Sequence, residues 1–361
     1  GVDITRPRLS WIIQSDDPGA RGIVQRGYQV LAASSLKTLA EDKGDLWDSG
    51  RVDSDQTLHI EYDGKPLAAG RDVFWKVRVW TTALIAVSDS KEEIASVWSA
   101  PASWRMGLLK QTDRKAQWIS DGLPCTELLP GVWTRPTTHM WREFTLDKPI
   151  AQATALVSGV GMYELYLNGQ RVGAQQLAPE FTIYKNRIQY NMFDVTGLLK
   201  EGTNVAGAMV GDGWYNNRLM AAPPPPERPF KGQRGFYLEV EIVYADGQKQ
   251  HILSDTNWTW TTDGPIRSNN IYDGEMYDGR MELTGWADAG YDESTWKPAV
   301  TAHFPGAAMV WQRNEPISIV EELKPVSVKS PEPGVYQYDL GQNMVGWCKA
   351  VSYTHLRAHE T

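Results

Sequence analysis

Apolar and polar positions alternate at period two through most of this chain, in short stretches broken by Gly, Pro, Asn and Asp. The clearest early example is Trp75 to Trp80, which places Trp75, Val77 and Val79 on one face and Lys76, Arg78 and Trp80 on the other. Arg8 to Trp11 opens an earlier strand, Tyr28 to Ala32 makes another, and Leu36 to Glu41 reads as one helical turn. Asp63-Gly64 is expected to turn a hairpin. The chain is organised around Leu156 to Tyr215, where Leu165 and Leu167 share a strand face immediately before Asn168-Gly169. That dipeptide tolerates the positive φ angles of a tight two-residue turn, so a return strand through Arg171 and Val172 is predicted.

Further strands are predicted over 153–158, 188–193, 205–210, 236–244 and 251–260, with a turn at Asp246-Gly247. Turn chemistry at such spacing predicts an all-β chain of tandem β-sandwiches, the second of them a jelly roll. No fixed repeat period is visible, which argues against solenoids and propellers. The predicted domains are 1–107, a connector over 108–133, a central sandwich over 134–316, and from 317 to 350 the start of a third, which includes Tyr336 to Leu340. Between Asn216 and Gln233 lie four consecutive prolines, which lack ladder donors and mark a long loop.

Composition narrows the function. A net charge of −8 with no basic block argues against nucleic acid, whose backbone demands clustered Lys and Arg. Trp at 16 and Tyr at 15 suit a protein that stacks sugar rings, although most such rings in a sandwich fill its core. The cysteines, Cys125 and Cys348, form neither a zinc spacing nor a disulfide framework. No run of about 18 apolar residues is present to cross a membrane. Gly1 does not read as a natural start, so the compartment, cytoplasmic, periplasmic or secreted, is left open.

Six segments in order resemble the N-terminal region of bacterial α-L-rhamnosidases, glycoside hydrolase family 78. They are PRLSW at 7–11, GDLWDSGRV at 44–52, FWKVRVW at 74–80, the stretch from LNG at 167–169 to GDGWY at 211–215, YDGEMYDGR at 272–280 and YDLGQNMVGW at 338–347. The resemblance implies a fibronectin type III-like first sandwich and a parent enzyme that hydrolyses terminal α-L-rhamnosides with inversion. It also implies a later (α/α)₆ catalytic barrel as partner. The barrel's acidic signature, DCP.RDER.GW.GD, is absent from this sequence, so the chain itself is expected to be inactive. Two alternatives stand beside this: a free-standing carbohydrate-binding module, and a scaffold without ligand. Residues 351–361, VSYTHLRAHET, resemble a translated sequencing adapter and are expected to lie outside the fold.

Three groups of candidate ligand residues emerge: Thr182, Tyr184 and Asn186; Asp212, Trp214, Tyr215, Asn216 and Asn217; and Asp273, Glu275 and Tyr277. Together they offer hydroxyl-matching donors and acceptors beside aromatic faces, as a site for a rhamnose-containing carbohydrate requires. On an extended strand Asp273 and Glu275 would share a face about 6–7 Å apart. That suits the paired carboxylates of glycoside hydrolysis, but it equally suits a solvated strand face with Arg280 as partner. Gly211-Asp212-Gly213 also has a plain reading, a turn capped by Asp212 with Trp214 packed beneath it. Some rhamnosidases carry a family 67 carbohydrate-binding module that holds rhamnose through calcium, which makes Ca²⁺ a possible cofactor. Asp212, Asn216, Asp273 and Glu275 would be its oxygen donors.

Overall fold

The protein is described here from a computed structural model covering residues 1–16, 19–84, 93–124, 126–129, 132–216, 232–304 and 307–349. Asn217, the proline-rich loop, Cys125 and the tail 351–361 lie outside the described residues. The chain divides into two compact units, Gly1–Ile317 and Ser318–Thr361.

Two long antiparallel strands, Arg21–Ala33 and Asp72–Leu84, carry the first sandwich, flanked by Trp47–Asp48, Val52–Asp53, Ile94–Ala95 and Ala102–Arg105. A second layer pairs Arg8–Leu9 with Ile60–Glu61. Leu9 and Ile60 close on Tyr28, Val30, Val77 and Val79 in one buried cluster, so the period-two alternation does set the core face. Each such side chain, fully buried, contributes roughly 1.5–3 kcal/mol. On the opposite face Arg78 lies 5.1 Å from the Trp80 ring and 4.7 Å from the Trp98 ring, while Lys76 is buried against Trp98 and paired with Asp42. Ser35 caps the short helix Leu36–Ala40 by accepting from the Thr38 N–H.

The hairpin expected at Asp63-Gly64 is not formed. The chain only bends, at Gly64 and Lys65, because the strand before them pairs with Arg8–Leu9 rather than with a return strand. Gly64 is required there for space: a Cβ would stand 2.5 Å from the Trp47 Cβ and from the Tyr62 hydroxyl.

The second sandwich has two facing sheets. One runs in the order Gln170–Arg171, Met162–Leu167, Gly202–Gly211, Thr138–Leu146, Thr259–Thr261, Lys297–Pro298. The other runs Val300–Thr301, Ile119–Ser120, Gly235–Tyr244, Ile150–Val160, Arg187–Asp194, Ala308–Trp311, with Lys249–Leu253 beside Gly235–Tyr244. Leu146, Leu165 and Val210 from the first sheet meet Ala155, Val157 and Leu238 from the second, and Trp258 is sealed with them. The turn at Asn168 and Gly169 has φ of 50° and 77°, as its sequence requires.

The single strand predicted over 251–260 is in fact two strands in different sheets. The Asp255 carboxylate accepts the Asn257 N–H and the Asp255 carbonyl accepts from Trp258, which turns the chain across the sandwich. Ala308–Trp311, unforeseen in the sequence, joins parallel to Arg187–Asp194. On the sheet that holds Thr138–Leu146, the His139 ring is buried 4.9 Å from Trp286, and burial pushes its pKa down to about 4. In the second unit, Ser327–Lys329 pairs antiparallel with Gln337–Asp339. Among the described residues no helix is long and apolar enough to cross a membrane.

Candidate functional site

At one end of the second sandwich the strand Gly202–Gly211 runs into Asp212-Gly213-Trp214-Tyr215. The Asp212 carbonyl accepts from the N–H groups of Tyr215 (3.0 Å) and Asn216 (3.2 Å), which closes a tight turn. Gly213 is sterically required, and a side chain at Gly211 would have to displace Asn269. A Cβ on Gly211 would meet the Asn269 amide at 2.3 Å, and one on Gly213, whose φ is +50°, would meet the Met162 side chain at 2.4 Å.

The turn directs the Asp212 carboxylate inward. It accepts from the Arg135 N–H (3.1 Å) and from Asn216 Nδ2 (3.1 Å), and the Arg234 guanidinium lies 3.6 Å away. Asp121 completes the group, 2.9 Å from Arg135 Nη1 and 3.6 Å from Arg234 Nη2. Thr138 donates to Asp121 and accepts from Arg234 at 2.9 Å. Burial alone would raise the Asp121 carboxyl, but the Arg234 and Arg135 guanidiniums and the Thr138 hydroxyl hold it below its ordinary range. Two acids and two arginines thus form a sealed, neutral foundation beneath the turn.

Above it the loops converge through their rings. Trp214 stands between Phe181 (5.9 Å) and Tyr272 (6.2 Å), Tyr184 meets Tyr215 at 5.1 Å, and Phe181 meets Tyr184 at 6.3 Å, all edge to face. Phe181 and Tyr272 are more than two-fifths exposed, whereas Tyr184 is buried. The Gly213 carbonyl accepts from the Ile271 N–H (3.3 Å), and Asn269 Oδ1 accepts from the Asp212 N–H (2.7 Å), which tie the hairpin Ile266–Tyr277 to the turn. The result is a partly exposed aromatic edge resting on a charged base.

The candidate residues divide by depth. Tyr184, Trp214 and Tyr215 belong to the aromatic group, while Asp212 and Asn216 face the charged base. Thr182 is buried and accepts from the Arg187 guanidinium at 3.2 Å, and Asn186 is exposed in a turn. Asp273 is not in a strand: with Tyr272 it forms a turn in which the Asn270 side chain accepts both N–H groups and donates to the Asp273 carboxylate. The extended spacing expected for Asp273 and Glu275 therefore does not form. Glu275 pairs with Asn269 in the ladder and is exposed, as is Tyr277. Arg280 pairs with Asp278 rather than with either of them. Among the described residues no three His, Cys, Asp or Glu side chains group as a metal site would need. Sequence reasoning missed Asp121, Arg135 and Arg234, which lie far apart in the chain, and Phe181 and Tyr272. Both rings are adjacent to residues that it did select.

Comparison with known proteins is consistent across the chain. Residues 148–321 match the α-L-rhamnosidase N-terminal domain family, and residues 1–110 match the Rha78A-like N-terminal immunoglobulin domain. Over 94% of the chain, an α-L-rhamnosidase of Alteromonas sp. (strain LOR) is 33% identical, and one of Formosa agariphila is 34% identical. The chain spans 36% and 35% of their lengths, about a third. Among solved structures, an α-L-rhamnosidase from Dictyoglumus thermophilum superposes with a TM-score of 0.82 at 34% identity, covering 95% of this chain and 37% of that one. An α-L-rhamnosidase from Streptomyces avermitilis, solved with L-rhamnose, gives a TM-score of 0.80 at 25% identity, covering 95% of this chain and 48% of that one. The sequence alignment with the Streptomyces avermitilis enzyme runs over 511 positions, well beyond the 361 residues here, so that relative carries additional segments within the shared region.

Proposed function

The chain belongs to the α-L-rhamnosidase family, whose N-terminal region it matches, and we propose that it serves such an enzyme as a non-catalytic, carbohydrate-contacting part. The parent protein would hydrolyse terminal α-L-rhamnosides, with both carboxylates supplied by a barrel beyond the matched third. Domain limits of 1–107, 134–316 and 317–350 fit this role, with 108–133 as connector. A calcium ion stays a proposal of the resemblance alone.

The observation that carries the reading is the aromatic edge. Phe181, Trp214 and Tyr272 come from three loops and present partly exposed rings side by side. A pyranose offers an apolar C–H face to such rings, and two of the groups considered for its hydroxyls, Asp212 and Asn216, are turned away into the base. Stacking therefore dominates over hydrogen bonding, and affinity for a lone monosaccharide should be no better than about millimolar. Ligand-observed NMR with L-rhamnose tests this. Binding should be lost in Trp214→Ala and weakened in Tyr272→Ala, whose ring is exposed and whose loss leaves the fold intact. A calcium chelator should leave it unchanged.

A scaffold reading has its own support. Phe181, Ile183, Met276 and Tyr277 expose between 44% and 53% of their surface, an apolar rim suited to another domain. A folded chain showing no contact with rhamnose at tens of millimolar would establish the scaffold role.

A further inference from the structure

We propose a second ligand site in the seam between the two sandwiches, one that takes a neutral polyol of monosaccharide size. Within Gly1–Ile317 a cavity of about 290 Å³ opens between the last strand of the first sandwich and the outer face of the second. Pockets for drug-sized ligands occupy roughly 300–1,000 Å³, so this one holds a single ring.

Its lining is of two kinds. Met106, Leu108, Leu156 and Met192 supply apolar surface, while Arg105, Lys115, Thr154, Glu239 and Glu241 supply donors and acceptors. The lining acids Asp113, Glu239 and Glu241 outnumber the lining cations Arg105 and Lys115, and the cations are paired. Arg105 bridges the sandwiches, with Nη1 2.8 Å from Asp72 and Nη2 2.8 Å from Glu241. Lys115 Nζ stands 3.8 Å from Glu239 and 3.7 Å from Glu241. A lining whose cations are already paired and whose acids are in excess disfavours an anionic guest.

Hydrogen-bonding capacity nevertheless remains. Lys115 Nζ, on a side chain 45% exposed, contacts His251 Nε2 at 3.1 Å and stands beyond hydrogen-bonding distance of both carboxylates, so its ammonium keeps donors for a ligand. A hydroxyl group both donates and accepts, so a polyol serves ammonium, guanidinium and carboxylate alike. Its C–H face would lie on Met192, which is partly exposed, with Met106 fully buried beneath as a reporter of the contact. Neither Trp214 nor Tyr272 lines this cavity, so the site stands or falls apart from the aromatic edge.

The lining methionines make the test direct. In a chain labelled with ¹³C at the methionine methyls, Met106 and Met192 should shift on adding L-rhamnose or myo-inositol at millimolar concentration. Glucuronate at the same concentration should shift them less. Trp214→Ala should leave these shifts in place. Thr112→Trp, which puts an indole at an exposed lining position, should weaken binding at least about tenfold at the millimolar affinities expected of so small a ligand. Thr154→Val, which removes one hydroxyl and keeps the shape, should weaken it less. The site is overturned if neither neutral ligand moves Met106 or Met192 at tens of millimolar, if glucuronate binds more tightly, or if a folded Thr112→Trp binds as the parent does.

Discussion

Two clusters in this protein hold the same kinds of charge in opposite circumstances. At the loop end, Asp121, Arg135, Asp212 and Arg234 are each exposed by 5% or less. At the seam, the side chains of Glu239, Glu241, Arg105 and Lys115 are exposed by 11%, 16%, 16% and 45%. In the sealed cluster water is excluded from the charges, so removing one member strands its partner in a medium that cannot solvate it. In the open cluster water still reaches the charges, and partners can be exchanged at small cost. The first arrangement is a foundation for the turn above it, and the second is compatible with admitting a ligand.

The contrast breaks most visibly at the foundation. Arg234→Met or Asp121→Asn should destabilise the fold by about 3–5 kcal/mol in urea unfolding, the range for splitting a buried ion pair. A loss under about 1 kcal/mol would mean that the cluster is solvated after all and the comparison fails.

A buried titratable group without a counter-charge sharpens the same point. His139 is neutral in the fold, with its pKa near 4 against an ordinary value of 6.5. The unfolded chain takes up the proton first as pH falls, so stability is complete above pH 6.5 and declines between 6.5 and about 4. That decline amounts to about 3 kcal/mol, and His139→Gln should flatten it. Equal slopes for the two proteins between these pH values would refute the assignment.

The smallest effect belongs to the seam. Arg105→Gln should cost about 1–2 kcal/mol, and the loss should shrink in high salt, because its partners remain partly solvated. A loss as large as that at Arg234 would erase the difference between the clusters.

The aromatic edge was half legible in the sequence and the base beneath it was not. Trp214 and Tyr215 follow a Gly-Asp-Gly turn, and turn chemistry is local, so their place at a loop end could be read directly. The inward carboxylate of Asp212 depends on Arg135 and Arg234, 77 and 22 positions away, and no periodicity links them. The alternation at 75–80 gave its core face correctly because each strand has one face in the first sandwich's core. The stretch 251–260 misled because both its halves are strand-like, while the crossing between sheets is made by a short turn at Asp255 through its carboxylate and its carbonyl. Glu275 and Asp273 looked like a pair only on the assumption of an extended backbone.

The parallel strand Ala308–Trp311 sets an order in time. It closes the sheet beside Arg187–Asp194, and its Trp311 N–H donates to the Asp3 carboxylate, which also pairs with Arg313. A ribosome must therefore deliver more than three hundred residues before the first few find their last partners. Until then the edge at Arg187–Asp194 stands open, and nascent chains meeting at that edge would pair with one another instead.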